Sequence, residues 1–153
     1  MRSPPHFHGL RVSVDIEPAS AGADTEAGPG APRKRVYIVD DHRFFVAGLS
    51  SLINHDTSME VCGSAPDGRK VVSEVRRLHP DLVLMDVKLP RTSGLIVARN
   101  IRKFLGDIPI LFISSLTEPR IREEAVSIGA LGFLEKTQEP GRILDGIRRA
   151  LGL

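Results

Sequence analysis

Three aspartates in this chain follow directly on apolar runs. Asp40 and Asp41 end the run VYIV, and Asp86 ends the run LVLM. A run of that length, with Pro80 before it and Pro90 after it, favours a buried parallel strand over a helix. A carboxylate at the end of such a strand is expensive unless something pairs with it, and three converging carboxylates repel one another. Oxygen ligands of this kind, with positions left open for water, suit Mg²⁺.

Two further polar side chains stand at the ends of apolar runs. Ser114 ends ILFIS, and Lys136 follows LGFLE. Each of these strand-end residues, taken singly, has an ordinary explanation as a helix cap, a turn residue or a surface charge. Together they match the chemistry of phosphoryl transfer, in which an Asp carboxylate acts as the nucleophile and forms an aspartyl phosphate. The Ser114 hydroxyl and the Lys136 ammonium would then contact the phosphoryl oxygens.

Strands and helices are predicted to alternate from residue 35 onward. The predicted strands lie in VYIVDD, MEVCG, DLVLMD, IPILFIS and LGFLEK. Apolar residues at helical spacing follow each of them, in FFVAGLSSLI, from Asp67 to Leu78, around Leu95 to Gly106, from Thr117 to Gly129 and from Gln138 to Leu151. Five such alternations predict an open parallel sheet with helices on both faces. Ligands of such sheets bind at the carboxyl ends of the strands, where the polar residues above are placed.

Composition narrows the class of protein. Hydrophobic residues make up 41% and charged residues 26% of the 153 residues, which is typical of one globular domain. The 21 basic and 19 acidic residues nearly balance, so the net charge of +2 does not predict binding to nucleic acid. The single cysteine, Cys62, excludes an internal disulfide and fits a reducing compartment. No run is long enough to span a membrane and the N-terminus lacks the apolar core of a signal peptide, so the cytoplasm is the predicted location.

The first 34 residues differ in composition from the rest. They are rich in Ala, Gly and Pro and lack a sustained helical or strand period, so we predict a mostly disordered extension over residues 1–34 and a folded domain over residues 35–153. One stretch of the extension, Leu10 to Ile16, alternates like a strand but has no partner strand beside it in the sequence. The basic run Arg33, Lys34 and Arg35 is interpreted as a solvated domain edge.

Three stretches of the chain carry a resemblance to a known family. VYIVDDH, SAPDG with PDLVLMDVKLPRTSGL, and IPILFISS with GALGFLEK together resemble the receiver domain of two-component response regulators. The resemblance covers about residues 35–153, and DDHRFFVAGLSSLI is most similar to receivers linked to LuxR-type DNA-binding domains. It implies a flavodoxin-like α/β fold of five strand–helix units, with a parallel five-stranded sheet in the order 2-1-3-4-5.

The resemblance also implies roles for the acidic residues. Asp86 would accept the phosphoryl group, and the donor would be a phosphohistidine on a sensor histidine kinase or a phosphotransfer protein. Asp40, Asp41 and Asp86, together with the backbone carbonyl of Lys88, would hold Mg²⁺. The Lys88 side chain occupies a variable position of the family, so its role does not carry over. Our interpretations of it are a solvated loop charge or a shield that obstructs attack of water on the phosphoryl group.

Other positions would bind the phosphoryl group and respond to it. Ser114 and Lys136 would contact the phosphoryl oxygens, and Ser114 and Phe133 would form the switch, the ring of Phe133 rotating inward on activation. The alternative for Phe133 is a permanently buried core ring. The sequence departs from the family at Thr137, where family members often have Pro and LuxR-linked receivers usually have Asp.

The expected output is signalling through a conformational change that a downstream protein target recognises, with homodimer formation on phosphorylation as a further expectation. No helix-turn-helix pattern follows the fifth predicted helix. We therefore expect either a single-domain regulator or a fragment, with no sequence-specific binding to DNA. Two alternatives stay open at this point. A degenerate receiver would serve only as an interaction surface, and a phosphatase of the haloacid-dehalogenase type would want a second acid where Lys88 stands.

Overall fold

The computed structural model describes residues 30–153, so the candidate strand Leu10 to Ile16 and most of the predicted extension lie outside the described residues. Strands and helices alternate through the described part. The strands are β1 (Lys34–Val39), β2 (Met59–Ala65), β3 (Leu82–Asp86), β4 (Ile110–Ser114) and β5 (Gly132–Glu135). The helices are α1 (Arg43–His55), α2 (Val71–Leu78), α3 (Gly94–Leu105), α4 (Pro119–Ile128) and α5 (Pro140–Ala150).

The five strands form one parallel sheet in the order β2-β1-β3-β4-β5, which confirms the predicted fold and strand order. β1 has β2 on one side and β3 on the other, so the strand order reverses between β1 and β3. In sheets of this kind the crevice for a ligand opens at that reversal, beyond the carboxyl ends of the strands. The residues that end β1 and β3 are therefore placed to line it.

Helices cover both faces of the sheet because successive strand residues face opposite sides. Val36 and Ile38 of β1 belong to a core that α1 and α5 close, with Ile53 and Ile147 fully buried in it. Tyr37, which lies between Val36 and Ile38 in β1, belongs to a second core that α2, α3 and α4 close. A central strand buried on both faces needs a continuous apolar run, which is why β3 has the sequence LVLM before Asp86.

Some element boundaries differ from the predicted ones. Helix α2 begins at Val71 rather than at Asp67, because the Asp67 carboxylate accepts a hydrogen bond from the Arg69 backbone N–H at 3.0 Å and holds a turn there. The segment between β3 and α3 contains a small antiparallel hairpin, Lys88–Leu89 with Thr92–Ser93. We call residues 88–93 the hairpin.

The N-terminal edge of the described chain is more firmly attached than a solvated edge would be. The Arg33 guanidinium donates hydrogen bonds to the backbone oxygens of Asn54 and Asp56, at 2.7 and 2.6 Å. The Lys34 backbone N–H donates to the oxygen of Ser58 at 2.8 Å, and β1 begins at Lys34. Arg33 therefore anchors the start of the sheet, which corrects the interpretation of the basic run for this residue. Within residues 30–153, no helix has the length and apolar character needed to cross a bilayer.

Candidate functional site

Three carboxylates meet where β1 and β3 end. Asp40 and Asp41 follow the last residue of β1, and Asp86 is the last residue of β3. The side chains of Asp40 and Asp86 are 0% and 3% exposed, whereas that of Asp41 is 38% exposed. Because β1 and β3 are parallel neighbours, their carboxyl ends share one edge of the sheet. The structure thus brings together the three aspartates singled out in the sequence.

The Lys136 ammonium enters this group from the far side of the sheet. It follows β5, and its side chain reaches past β4 to the ends of β3 and β1. Nζ donates a hydrogen bond to Oδ2 of Asp86 at 2.8 Å and lies 2.6 Å from Oδ2 of Asp40. The contact with Asp40 is an ion pair without hydrogen-bond alignment, so this buried oxygen receives no hydrogen bond from the described residues. One cation therefore faces two buried carboxylates.

The pKa of Asp86 reflects its burial and the excess of negative over positive charge at this edge. Burial raises the pKa of this carboxyl above its usual value, and the nearby charge of Asp40 raises it further. The hydrogen bond from Lys136 acts in the opposite direction but does not cancel the increase in the pKa of Asp86. The ionised form of Asp86 is thus held at a free-energy cost in the protein alone, which an additional cation would offset.

His42 lies in the middle of the site and was missed by the sequence analysis. Its Nδ1 lies 3.0 Å from Oδ1 of Asp40, 3.4 Å from Oδ1 of Asp41 and 3.8 Å from Oδ2 of Asp86. Its backbone N–H also donates to Oδ1 of Asp40 at 2.9 Å, at the start of α1. The signal that could have identified it is the position of a histidine directly after the Asp40-Asp41 pair. We call Asp40, Asp41, His42, Asp86 and Lys136 the acidic edge.

Gly94 is a second residue that the sequence analysis missed. A Cβ atom at this position would lie 1.8 Å from the backbone oxygen of Asp86, a distance that no side chain tolerates. The Gly94 backbone N–H donates to the oxygen of Val87 at 2.7 Å and closes the hairpin against the end of β3. The preceding Ser93 caps α3, its hydroxyl accepting from the Leu95 backbone N–H at 3.1 Å. Glycine directly after a helix-capping serine was the available signal.

Ser114 and Lys88 lie beside the acidic edge in different surroundings. Ser114 ends β4 and is fully buried, and its hydroxyl accepts from the Leu116 backbone N–H at 3.1 Å. Lys88 is exposed, and its backbone N–H lies 3.3 Å from Oδ1 of Asp86. Its ammonium forms no ion pair with any residue in the range 30–153. The phosphoryl-binding role of Ser114 and the shielding role of Lys88 stay predictions.

Phe133 is buried in β5 and is only 6% exposed. Its ring stacks on Phe112 of β4 with the centroids 6.5 Å apart, and the Arg122 guanidinium of α4 lies 4.9 Å from its centroid. Arg122 also forms an ion pair with Glu135, at the end of β5. We call Phe112, Arg122, Phe133 and Glu135 the ring clamp. The ring is buried in this conformation, and its rotation on activation stays a prediction.

The donor set of the acidic edge fits a divalent cation. One ligand atom from each of Asp40, Asp41, His42 and Asp86 can be chosen so that all four lie within 4.8 Å of one another. The buried Asp40 Oδ2 without a hydrogen-bond donor is the kind of atom that a cation or its water would satisfy. Carboxylate oxygens of this number, with an open side at the exposed Asp41, suit Mg²⁺.

Comparison with known proteins agrees with this geometry. A family model described as the response regulator receiver domain matches residues 36–148. A protein-glutamate methylesterase/protein-glutamine glutaminase of Photobacterium profundum is 40% identical over 107 residues, which are 69% of this chain and 27% of that protein. The uncharacterized transcriptional regulatory protein YxjL of Bacillus subtilis is 34% identical over 116 residues, covering 76% of this chain and 53% of that protein. The chain thus spans about half the length of these curated relatives, or less.

A solved structure shows the same architecture. The crystal structure of a two-component response regulator of the LuxR family, from Aurantimonas sp. SI85-9A1, matches with a TM-score of 0.75 at 28% identity. The match covers 79% of this chain and 86% of that one.

Proposed function

Because the chain belongs to the response regulator receiver domain family, we propose that it accepts a phosphoryl group on Asp86 and signals by a change of conformation. The observation that carries the proposal is the convergence of three carboxylates and the Lys136 ammonium at the edge where β1 and β3 end. The donor would be a phosphohistidine on a sensor histidine kinase or a phosphotransfer protein, and the predicted location is the cytoplasm.

The proposed reaction is an in-line displacement at phosphorus. A carboxylate oxygen of Asp86 forms the new O–P bond as the N–P bond to the donor imidazole breaks, and the imidazole leaves with the bonding electrons and takes up a proton. Lys136 donates a hydrogen bond to Oδ2 of Asp86 at 2.8 Å in the unphosphorylated protein. After transfer it would donate that hydrogen bond to a phosphoryl oxygen instead. The buried Ser114 hydroxyl at the end of β4 would contact another phosphoryl oxygen.

Asp40, Asp41 and Asp86, with the backbone carbonyl of Lys88, would hold Mg²⁺ at the acidic edge. When bound, Mg²⁺ supplies positive charge opposite the phosphoryl oxygens and offsets the repulsion among the carboxylates. Asp40 is the buried member of the pair after β1, and Asp41 is the exposed one that leaves the site open to water. Asp40 would thus anchor the cation, and Asp41 would leave room for the donor.

The change of conformation would pass from Ser114 to the surface near the ring clamp. Ser114 pairs with Glu135 in the register of β4 and β5, and Glu135 pairs with Arg122 above Phe133. Movement of Ser114 toward a phosphoryl group would therefore act on the neighbouring strand that carries the ring. A downstream protein, or a second copy of the chain in a homodimer, would recognise the altered surface.

The test is labelling with acetyl phosphate in the presence of Mg²⁺. The wild type should acquire one phosphoryl group that is stable in acid and labile in base, as expected for an acyl phosphate. Asp86→Asn removes the nucleophile and should abolish labelling, and Asp41→Ala should slow it because a metal ligand is lost. Asp145→Asn, an exposed carboxylate on α5, is the matched control and should label normally.

The outcomes separate the alternatives. Undiminished labelling of folded Asp86→Asn would place the acceptor elsewhere and refute the proposal. A folded wild type that never labels would favour a degenerate receiver, and continuous release of many phosphates per protein would favour a phosphatase of the haloacid-dehalogenase type.

A further inference from the structure

The imidazole of His42 has contacts that a simple hydrogen bond does not explain. Its Nδ1 lies 3.0 Å from Oδ1 of Asp40 and also 3.0 Å from Nζ of Lys136. An ammonium can only donate and an ionised carboxylate can only accept. Nδ1 therefore satisfies one of these two neighbours at a time, whichever tautomer the ring adopts. The buried Oδ2 of Asp40, without a hydrogen-bond donor among the described residues, is a second unsatisfied atom at the same place.

A divalent cation would resolve the mismatch at Nδ1 and would add positive charge beside the Asp40 carboxylate, whose Oδ2 has only the ion pair with Lys136 in the described part of the chain. It accepts the lone pair of an imidazole nitrogen and that of a carboxylate oxygen together, and it replaces the ammonium as the positive charge. With bonds of about 2.1 Å, adjacent ligand atoms are separated by about 3.0 Å in an octahedral site and about 3.4 Å in a tetrahedral one. The distances from Nδ1 to the oxygens of Asp40 and Asp41 are 3.0 and 3.4 Å. The side chains of these two aspartates are thus already spaced as neighbouring ligands of the imidazole, whereas Oδ2 of Asp86 is farther from Nδ1, at 3.8 Å.

We propose that His42 Nδ1 is a direct metal ligand, and that the acidic edge consequently binds first-row transition-metal ions such as Co²⁺, Mn²⁺ or Zn²⁺ through an imidazole and up to three carboxylates. This proposal rests on the metal site of the proposed function. Mg²⁺ favours oxygen ligands and keeps several waters, so it gains little from the imidazole. Nitrogen ligation favours the later transition metals, whose affinity for a given site also rises along the series toward copper. His42 thus shifts the preference of the site away from Mg²⁺.

The position of His42 in the fold supports direct coordination. It stands between β1 and the first residue of α1, with its backbone N–H bonded to Oδ1 of Asp40 at 2.9 Å. That hydrogen bond fixes the distance between the main chain and the carboxylate that would share the cation. The side chain itself is 60% exposed, so the ring can adjust to a metal without displacing core residues.

The first experiment uses Mn²⁺ as the probe and pulsed electron paramagnetic resonance as the readout. The wild type with bound Mn²⁺ should show a hyperfine coupling to a directly coordinated ¹⁴N, and His42→Gln should lose it while retaining its fold by circular dichroism. His55→Gln changes an exposed histidine at the end of α1 and is the matched control, which should keep the coupling.

The second experiment measures selectivity. Co²⁺ and Mg²⁺ affinities are determined separately by calorimetry for the wild type, His42→Gln and His55→Gln. Loss of a direct nitrogen ligand should lower the ratio of Co²⁺ to Mg²⁺ affinity by at least about tenfold in His42→Gln, since even outer-shell partners of metal ligands are worth that much. The ratio should not change in His55→Gln.

Metal-loaded wild type without a nitrogen coupling, or an unchanged affinity ratio in His42→Gln, would overturn the proposal and leave His42 as a hydrogen-bond partner of Asp40. These results are independent of labelling by acetyl phosphate. A protein that labels on Asp86 with Mg²⁺ but shows no nitrogen coupling refutes the role of His42 alone. A protein that shows the coupling but does not label supports the role of His42 and refutes the proposed function.

Discussion

The acidic edge and the ring clamp differ in how well their charges are compensated. At the acidic edge, Asp40 and Asp86 are buried and share the single ammonium of Lys136. In the ring clamp, Arg122 has one carboxylate partner in Glu135 and one aromatic partner in Phe133. The first region has an excess of negative charge and an unsatisfied buried oxygen, whereas the charges of the second are paired.

This difference indicates which region is kept for a ligand and which stabilises the fold. Binding sites hold groups in arrangements that the protein alone does not satisfy, and the free energy of those groups is recovered when the ligand binds. Neutralising a carboxylate of the acidic edge should therefore stabilise the protein, whereas neutralising a charge of the ring clamp should destabilise it. The following substitutions break or sharpen the contrast, from the largest expected effect to the smallest.

Gly94→Ala should break the acidic edge and have the largest effect on stability. The new Cβ would have to sit 1.8 Å from the backbone oxygen of Asp86, so the hairpin must move away from β3. We expect a loss of about 3 kcal/mol or more in the free energy of unfolding, measured by urea denaturation, together with slower labelling by acetyl phosphate.

Gly48→Ala is the matched control for that measurement. Gly48 lies within α1, and nothing is within 4 Å of the position where its Cβ would be. Alanine there should raise the free energy of unfolding by roughly 0.5 to 1 kcal/mol, because glycine loses more backbone entropy in a helix. If the two substitutions changed the free energy of unfolding equally, the hairpin would not require a residue without a Cβ atom at position 94.

Arg122→Ala should destabilise the ring clamp by about 1 kcal/mol, the usual value of a cation–π contact at a partly exposed position. The guanidinium lies 4.9 Å from the centroid of Phe133, and its side chain is 28% exposed. Arg120→Ala, two residues earlier on the exposed side of α4, is the control and should leave the free energy of unfolding nearly unchanged. A stability of Arg122→Ala equal to that of Arg120→Ala would mean that the clamp adds nothing.

Asp86→Asn should produce a smaller change of opposite sign, a modest rise in the midpoint of thermal unfolding without metal at neutral pH. The pKa of Asp86 is raised in the folded protein, chiefly by burial, so the folded state binds this proton more tightly than the unfolded chain does. Ionised Asp86 therefore lowers stability above its folded pKa, and the substitution removes that cost.

The pH dependence provides the check on Asp86→Asn. As the pH falls through the raised pKa of Asp86, the wild type takes up the proton and the advantage of the Asn variant should shrink. Added Mg²⁺ should stabilise the wild type more than the variant, because the variant lacks one of the proposed ligands. An Asn variant less stable than the wild type at neutral pH would contradict the contrast between the two regions.

Most of the fold and part of the site followed from local patterns. Apolar runs of strand length between helical patterns predicted all five strands and their parallel arrangement, since parallel strands need crossover helices and both faces covered. Strand-end polar residues predicted that Asp40, Asp41, Asp86 and Lys136 would meet at one edge. Boundaries were predicted less well, as at Asp67, where a turn competes with the start of α2. The local pattern also does not explain why Leu52 is 37% exposed beside a buried neighbour, because that depends on where the surrounding helices pack.

The sequence by itself determined which elements form and which residues stand at the carboxyl ends of the strands, because hydrophobic period and strand direction are properties of short segments. Only the tertiary structure decided the contacts between segments far apart in the chain. The reach of Lys136 across β4 to Asp86 and Asp40, the close approach of Gly94 to the oxygen of Asp86, and the position of the His42 ring among three carboxylates are of this kind. Shifts of a few tenths of an ångström would make or break these contacts, and such shifts are set by the packing of the helices on the sheet and by side-chain rotamers.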